Sequence, residues 1–158
     1  MSEIRMTLSG QILLEKCREI ELLCKELYDY FAELYAGDEE AVHLWRKTAI
    51  EEQNHADQFT LVLKLRKGLF CQVVVEPPRV ESVISQLHTV VQQVKKDPPT
   101  LEDALCSSLK LEKHLADFHL SCVVVFQEES YRNLFNAMMS SDQEHIASLQ
   151  AVYDKLRI

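Results

Sequence analysis

The sequence predicts an all-α fold: a four-helix bundle in which a long crossover, carrying a short additional helix, joins the second and third long helices. Three observations lead there. Gly 3 and Pro 4 in 158 residues are too little punctuation for a turn-rich β fold. Apolar residues make up 47% of the chain and recur at alternating spacings of three and four along four long stretches, the period of an amphipathic helix. The two long helical pairs also look like copies of one another, which favours a closed bundle over an open helical array. Residues 1–158 make one domain, large enough to bury about two thirds of the surface its unfolded form exposes.

The first long helix is expected over about 9–35, stopped by Ala36-Gly37-Asp38, with Gly37 as the C-terminal residue. Asp38-Glu39-Glu40 favour the start of the second, about 39–67, because acidic groups suit a helix N-terminus. Gly68 then precedes LFCQVVVEPPR, a β-branched, Pro-closed stretch that reads as an extended crossover. Val80, Val83, Ile84, Leu87, Val91 and Val94 give the short crossover helix, about 80–95. Asp97-Pro98-Pro99 breaks the chain, Thr100 and Asp103 resemble a capping box opening a helix over about 100–126, and Ser130 is the expected cap of the last, about 130–156.

The formal charge of −8 and the lack of a Lys/Arg cluster disfavour nucleic acid and anionic membranes as partners. MSEIRMTLSG is charged and lacks a signal-peptide core, and no run of about 18 apolar residues follows. The expected location is cytoplasmic, with no membrane insertion. Cys17, Cys24, Cys71, Cys106 and Cys122 form no CxxC pair, and most of them read as small buried residues in a reducing compartment.

The core-facing stripes contain polar interruptions. The second helix presents Trp45, Ala49, Glu52, Ala56, Phe59 and Leu63, with His55 one turn from Glu52. The last presents Tyr131, Phe135, Met138, Asp142, His145, Leu149 and Val152, and the third long helix presents Leu105, Ser108, Glu112, Leu115, His119, Cys122 and Phe126. On the first, Glu21 lies on the buried flank between Cys17 and Cys24, with Tyr28 beyond. Four carboxylates and two histidines aimed into an apolar core each cost several kcal/mol unless their charge is compensated, and no inward Lys or Arg does so. A pair of divalent metals would. The spacings suggest a duplicated site: Glu112 follows Glu21 by 91 residues, Asp142 follows Glu52 by 90, and His145 follows His55 by 90. His119 also stands seven residues after Glu112, as Tyr28 stands seven after Glu21.

At these residues the chain resembles the rubrerythrin branch of the ferritin-like superfamily. The pieces that carry the resemblance are ELLCKELYDYFAELY, EEQNHADQF, LEKHLADFH and SDQEHIASL, spread over most of the sequence. The resemblance implies two iron ions, with manganese or zinc as alternatives. Glu52 and Asp142 would bridge them, His55 and His145 would each bind one, and Glu21 and Glu112 would be terminal ligands. Tyr28 would lie close by; His119 reads first as a hydrogen-bonded core histidine, with a donor supporting the ligands or an extra ligand as the alternatives. The chain departs from the family pattern in Asp142, where a Glu is expected, and in Leu115, where the family carries another Glu. No segment resembles a rubredoxin-like domain, so an external electron donor protein is implied, and the long crossover argues against cage assembly. A homodimer is expected.

The remaining candidates have plainer explanations. His43, His88 and His114 read as surface residues, and Tyr30, Phe31, Trp45, Phe59, Phe118 and Phe135 as packing. Two functions are left: a di-iron oxidoreductase acting on peroxide or dioxygen or oxidising ferrous iron, and a non-catalytic bundle with a structural, sensing or degenerate metal site that acts through protein partners.

Overall fold

A computed structural model describes residues 7–65, 72–74, 77–126 and 128–157. Its elements in chain order are β1 (Thr7–Ser9), α1 (Gly10–Leu34), α2 (Glu39–Leu65), β2 (Gln72–Val74), α3 (Pro77–Lys96), α4 (Leu101–Val125) and α5 (Glu129–Leu156). The protein is a helical bundle. The expected end of the second helix at Lys67, its stop at Gly68, and Cys71 lie outside the described residues.

Local chemistry sets the boundaries. The α1–α2 turn closes through Asp38, whose Oδ1 accepts from the Ala41 N–H at 3.0 Å while its carbonyl accepts from Val42 at 2.9 Å, so Asp38 caps α2. Thr100 caps α4: its Oγ1 accepts from the Asp103 N–H at 3.2 Å. The third helix starts earlier than its apolar stripe, at Pro77, since a proline needs no hydrogen-bond partner in a first helical turn. Ser130 is not the cap of α5. The helix begins at Glu129, Glu128 holds the capping position without a side-chain capping bond, and Ser130 falls inside the first turn.

One feature has no precursor in the periodicity. β1 and β2 pair antiparallel, Thr7 with Val74 and Ser9 with Gln72. Three-residue strands are too short to show an alternating pattern, so only the extended character of Gln72–Val74 was visible.

Short turns make α1–α2 and α4–α5 antiparallel hairpins, and each packs chiefly on itself. α3 lies along α1, where the Tyr30 hydroxyl donates to the Val94 carbonyl at 3.0 Å. The Tyr35 hydroxyl donates to the Pro99 carbonyl, which places the α1–α2 turn and the start of α4 at one end of the bundle. An aromatic cluster seals each end. Phe31, Tyr35 and Trp45 form one, with centroids 5.1 and 5.4 Å from Trp45. Phe59, Phe126, Tyr131 and Phe135 form the other, with Phe126 stacked on Phe135 at 5.5 Å. Among the described residues, no helix is long and apolar enough to cross a membrane.

Candidate metal centre

Between the two aromatic clusters the core turns polar. Glu21, Glu52, Glu112, Asp142 and His119 are completely buried, and His55 and His145 nearly so. Each arrives there because it occupies an inward position on its helix: Glu21 on α1, Glu52 and His55 on α2, Glu112 and His119 on α4, Asp142 and His145 on α5.

Two three-residue sets emerge, Glu21–Glu52–His55 and Glu52–Glu112–His145, each with ligand atoms within 4.8 Å of one another. In the first, His55 Nδ1 lies 3.4 Å from Glu21 Oε2 and 3.7 Å from Glu52 Oε2. In the second, His145 Nδ1 lies 3.2 Å from Glu52 Oε1 and 3.5 Å from Glu112 Oε2. Glu52 belongs to both, with one oxygen toward each histidine. The atoms facing inward lack well-aligned hydrogen bonds: both oxygens of Glu21 and Glu52, Oε2 of Glu112, and Nδ1 of both histidines. Buried donors and acceptors left this way are costly. A shared carboxylate, two terminal carboxylates and two imidazole nitrogens form the oxygen and nitrogen donor set that suits divalent transition metals, so the residues fit a two-metal site.

Asp142 stands outside both sets. Its side chain is about one C–C bond shorter than that of Glu, and its Oδ2 accepts from His119 Nδ1 at 2.5 Å. The other nitrogen of His119 lies 3.2 Å from Glu21 Oε1. On the opposite side, the Tyr28 hydroxyl donates to Glu112 Oε1. Tyr28 and His119 are thus duplicate positions with crossed roles, each backing the terminal carboxylate of the other hairpin.

Sequence reasoning missed Glu51. It lies beside the α2 stripe rather than on it, and its Oε2 accepts from His145 Nε2. A carboxylate on the outer nitrogen fixes which face of an imidazole points at a metal. The duplication carried a faint signal, because the offset of 90 takes Glu51 to Ser141, whose hydroxyl lies 3.5 Å from the same nitrogen.

The cations expected to be missing are the histidines themselves. Burial pulls His55 down, but Glu21 and Glu52 beside it outweigh burial and raise it to about 10. Burial likewise opposes, and Glu112 and Glu52 outweigh, so that His145 rises to about 11. His119 is held well above its ordinary value by Asp142 and Glu21 despite burial. Burial also raises Glu52 and Glu112, and lifts Asp142 to about 6 against the pull of His119. Glu21 goes the other way. Although burial pushes it up, Glu52, His119 and His55 together bring it down to about 2. Burial keeps the Tyr28 phenol protonated well past its usual range.

His43, His88 and His114 are exposed and apart from the centre. Cys17 and Cys122, both buried, lie one turn from Glu21 and His119 on their helices. Compared with known proteins, the chain matches no family profile and no curated sequence.

Proposed function

We propose that the chain is a ferritin-like, rubrerythrin-type di-iron carboxylate protein that reacts with peroxide or dioxygen or oxidises ferrous iron. The observation that carries this reading is Glu52, a completely buried carboxylate shared between two Glu–Glu–His sets. The helix α3 between the two hairpins also suits the crossover of a ferritin-like bundle.

Iron ions, when bound, supply one electron each to an O–O bond. The rest of the work belongs to the chain. Glu52 would hold both ions, Glu21 and Glu112 would each hold one, and His55 and His145 present Nδ1 toward these carboxylates. The Tyr28 hydroxyl donates to Glu112, and the protonated His119 donates through Nδ1 to Asp142 while its Nε2 faces Glu21 at 3.2 Å. Tyr28 and His119 therefore keep protons beside the carboxylates that would hold the metal. The aromatic ends exclude bulk water, which limits leakage of reactive species. Cytoplasmic location, a twofold dimer and an external donor protein belong to the same proposal.

A second reading is a non-catalytic bundle with a structural, sensing or degenerate metal site that acts through partners. Asp142, held by His119 outside both sets, favours it. Elemental analysis of protein purified without chelator, followed by anaerobic ferrous loading and peroxide addition, separates the two. About two irons per chain that are rapidly oxidised support the di-iron reading. Bound metal with no oxidation, or no metal uptake at all, supports the second. The donor set also suits manganese and zinc, which the same analysis identifies.

A further inference from the structure

The centre is closed by buried side chains, and a metal ion must still reach it. Glu51 is the residue in contact with it that is most open to water, with its side chain 30% exposed against 4% for His145. It lines a surface cleft of about 670 Å³ together with Glu39, His43, Arg46, Lys47 and Asn54. From that cleft Glu51 reaches His145 Nε2, and His145 Nδ1 lies 3.2 Å from Glu52 and 3.5 Å from Glu112. A continuous line of ligand atoms therefore runs from solvent through Glu51 and His145 to the second set. A second groove on α1, lined by Glu15, Lys16, Arg18, Glu19 and Glu26, contains no residue of the two sets.

We propose that Glu51 is the inlet of the metal centre, taking divalent cations from the α2 cleft and delivering them to Glu52, Glu112 and His145. Hydrated divalent cations shed water reluctantly and enter apolar surroundings only when each lost water is replaced. A carboxylate with one end in solvent and the other on a ligand imidazole makes that exchange stepwise. Glu51 leaves His145 Nε2, binds the hydrated cation in the cleft, and returns with it as Glu52 and Glu112 displace the remaining waters. Arg46 and Lys47 line the same cleft and repel cations, so the attraction rests on Glu51 and Glu39.

The inference rests on the two-metal reading, and one experiment tells their failures apart. Metal-free, full-length protein is mixed with Co²⁺ in a stopped-flow instrument, and the visible absorbance of the bound ion gives association; mixing the loaded protein with a chelator gives dissociation. For Glu51→Gln, association should slow by about tenfold, the low end of what a local field contributes to ion capture, and dissociation should slow with it, because the Gln amide oxygen can still accept from His145 Nε2 and keep the imidazole oriented. Glu51→Asp, which keeps the charge on a shorter arm, should load at an intermediate rate, and thermal melts of the metal-free variants check that each folds. A Glu51→Gln protein that loads as fast as wild type overturns the inlet and leaves the two-metal reading standing. Affinity lowered by about 10–100-fold with unchanged association makes Glu51 only an orienting partner of His145, and also overturns it. A wild type that takes up no Co²⁺ overturns both.

Discussion

At Asp142 one missing methylene separates two different connections. The carboxylate accepts from His119 instead of joining either set. Asp142→Glu extends the arm by about 1.5 Å and should bring a further oxygen to the shared region. The expected result is tighter binding of the second ion, read as a steeper second phase in a Co²⁺ titration; an unchanged titration would mean that His119 retains the longer side chain. The histidines give a second prediction. With His55 raised to about 10 and His145 to about 11, both carry protons at pH 7 in the metal-free protein, and metal requires them neutral. Loading should release at least about two protons per chain. Calorimetry in buffers of different ionisation enthalpy measures this, and release of none would show that the imidazoles are not ligands. Inward placement of Glu21, Glu52, Glu112, Asp142 and His145 was legible because the helical period marks a core face whatever residue occupies it. The bonds of Asp142 to His119 and Glu51 to His145 were not, since a stripe fixes direction and says nothing of which groups meet across the bundle.

Among the elements, capping chemistry was the most readable feature. Asp38 and Thr100 are the caps that their sequence neighbourhoods announce, and Thr100→Ala should cost about 1 kcal/mol, seen as a lower denaturant midpoint. The start of α5 was misplaced because Ser130 is the better intrinsic cap, yet the chain leaves α4 in extended form at Phe126 and re-enters a helix by Glu129 without one. That helix is held by packing. Phe135 touches Phe59, Phe126 and His119, so Phe135→Ala should cost about 3–5 kcal/mol, well beyond the loss of a cap. A change no larger than the Thr100→Ala effect would mean that the aromatic end does not anchor α5.

For the whole molecule, the buried charges make stability depend on pH, in opposite senses with and without metal. Asp142, lifted to about 6 from 3.8, contributes stability that is complete below 3.8 and lost as pH rises through 6. His55 and His145, raised from 6.5, contribute stability that is complete below 6.5 and lost toward 10 and 11. Glu21, lowered from 4.5 to about 2, loses its contribution only in acid. The melting temperature of the metal-free protein should therefore decline from about pH 5 toward pH 10. With metal present it should hold or rise over the neutral range, because binding strengthens as protons leave and adds about 2.7 kcal/mol at a hundredfold excess over Kd. Parallel melting curves would contradict protonated histidines in the metal-free state.

The two sets differ in where their residues come from. Glu21, Glu52 and His55 all belong to the α1–α2 hairpin, whereas Glu52, Glu112 and His145 require both hairpins together. An ion in the first set would be held by one hairpin alone, and an ion in the second would lock together halves that otherwise pack chiefly within themselves. In native-state hydrogen exchange, the amides of α4 and α5 should gain protection only when the second position fills, while α1 and α2 respond to the first. Sub-molar denaturant should speed the escape of the second ion, since parting the hairpins dismantles its site without unfolding either. The first ion should leave only when α1 and α2 separate, so the order of release reports the order in which the chain comes apart.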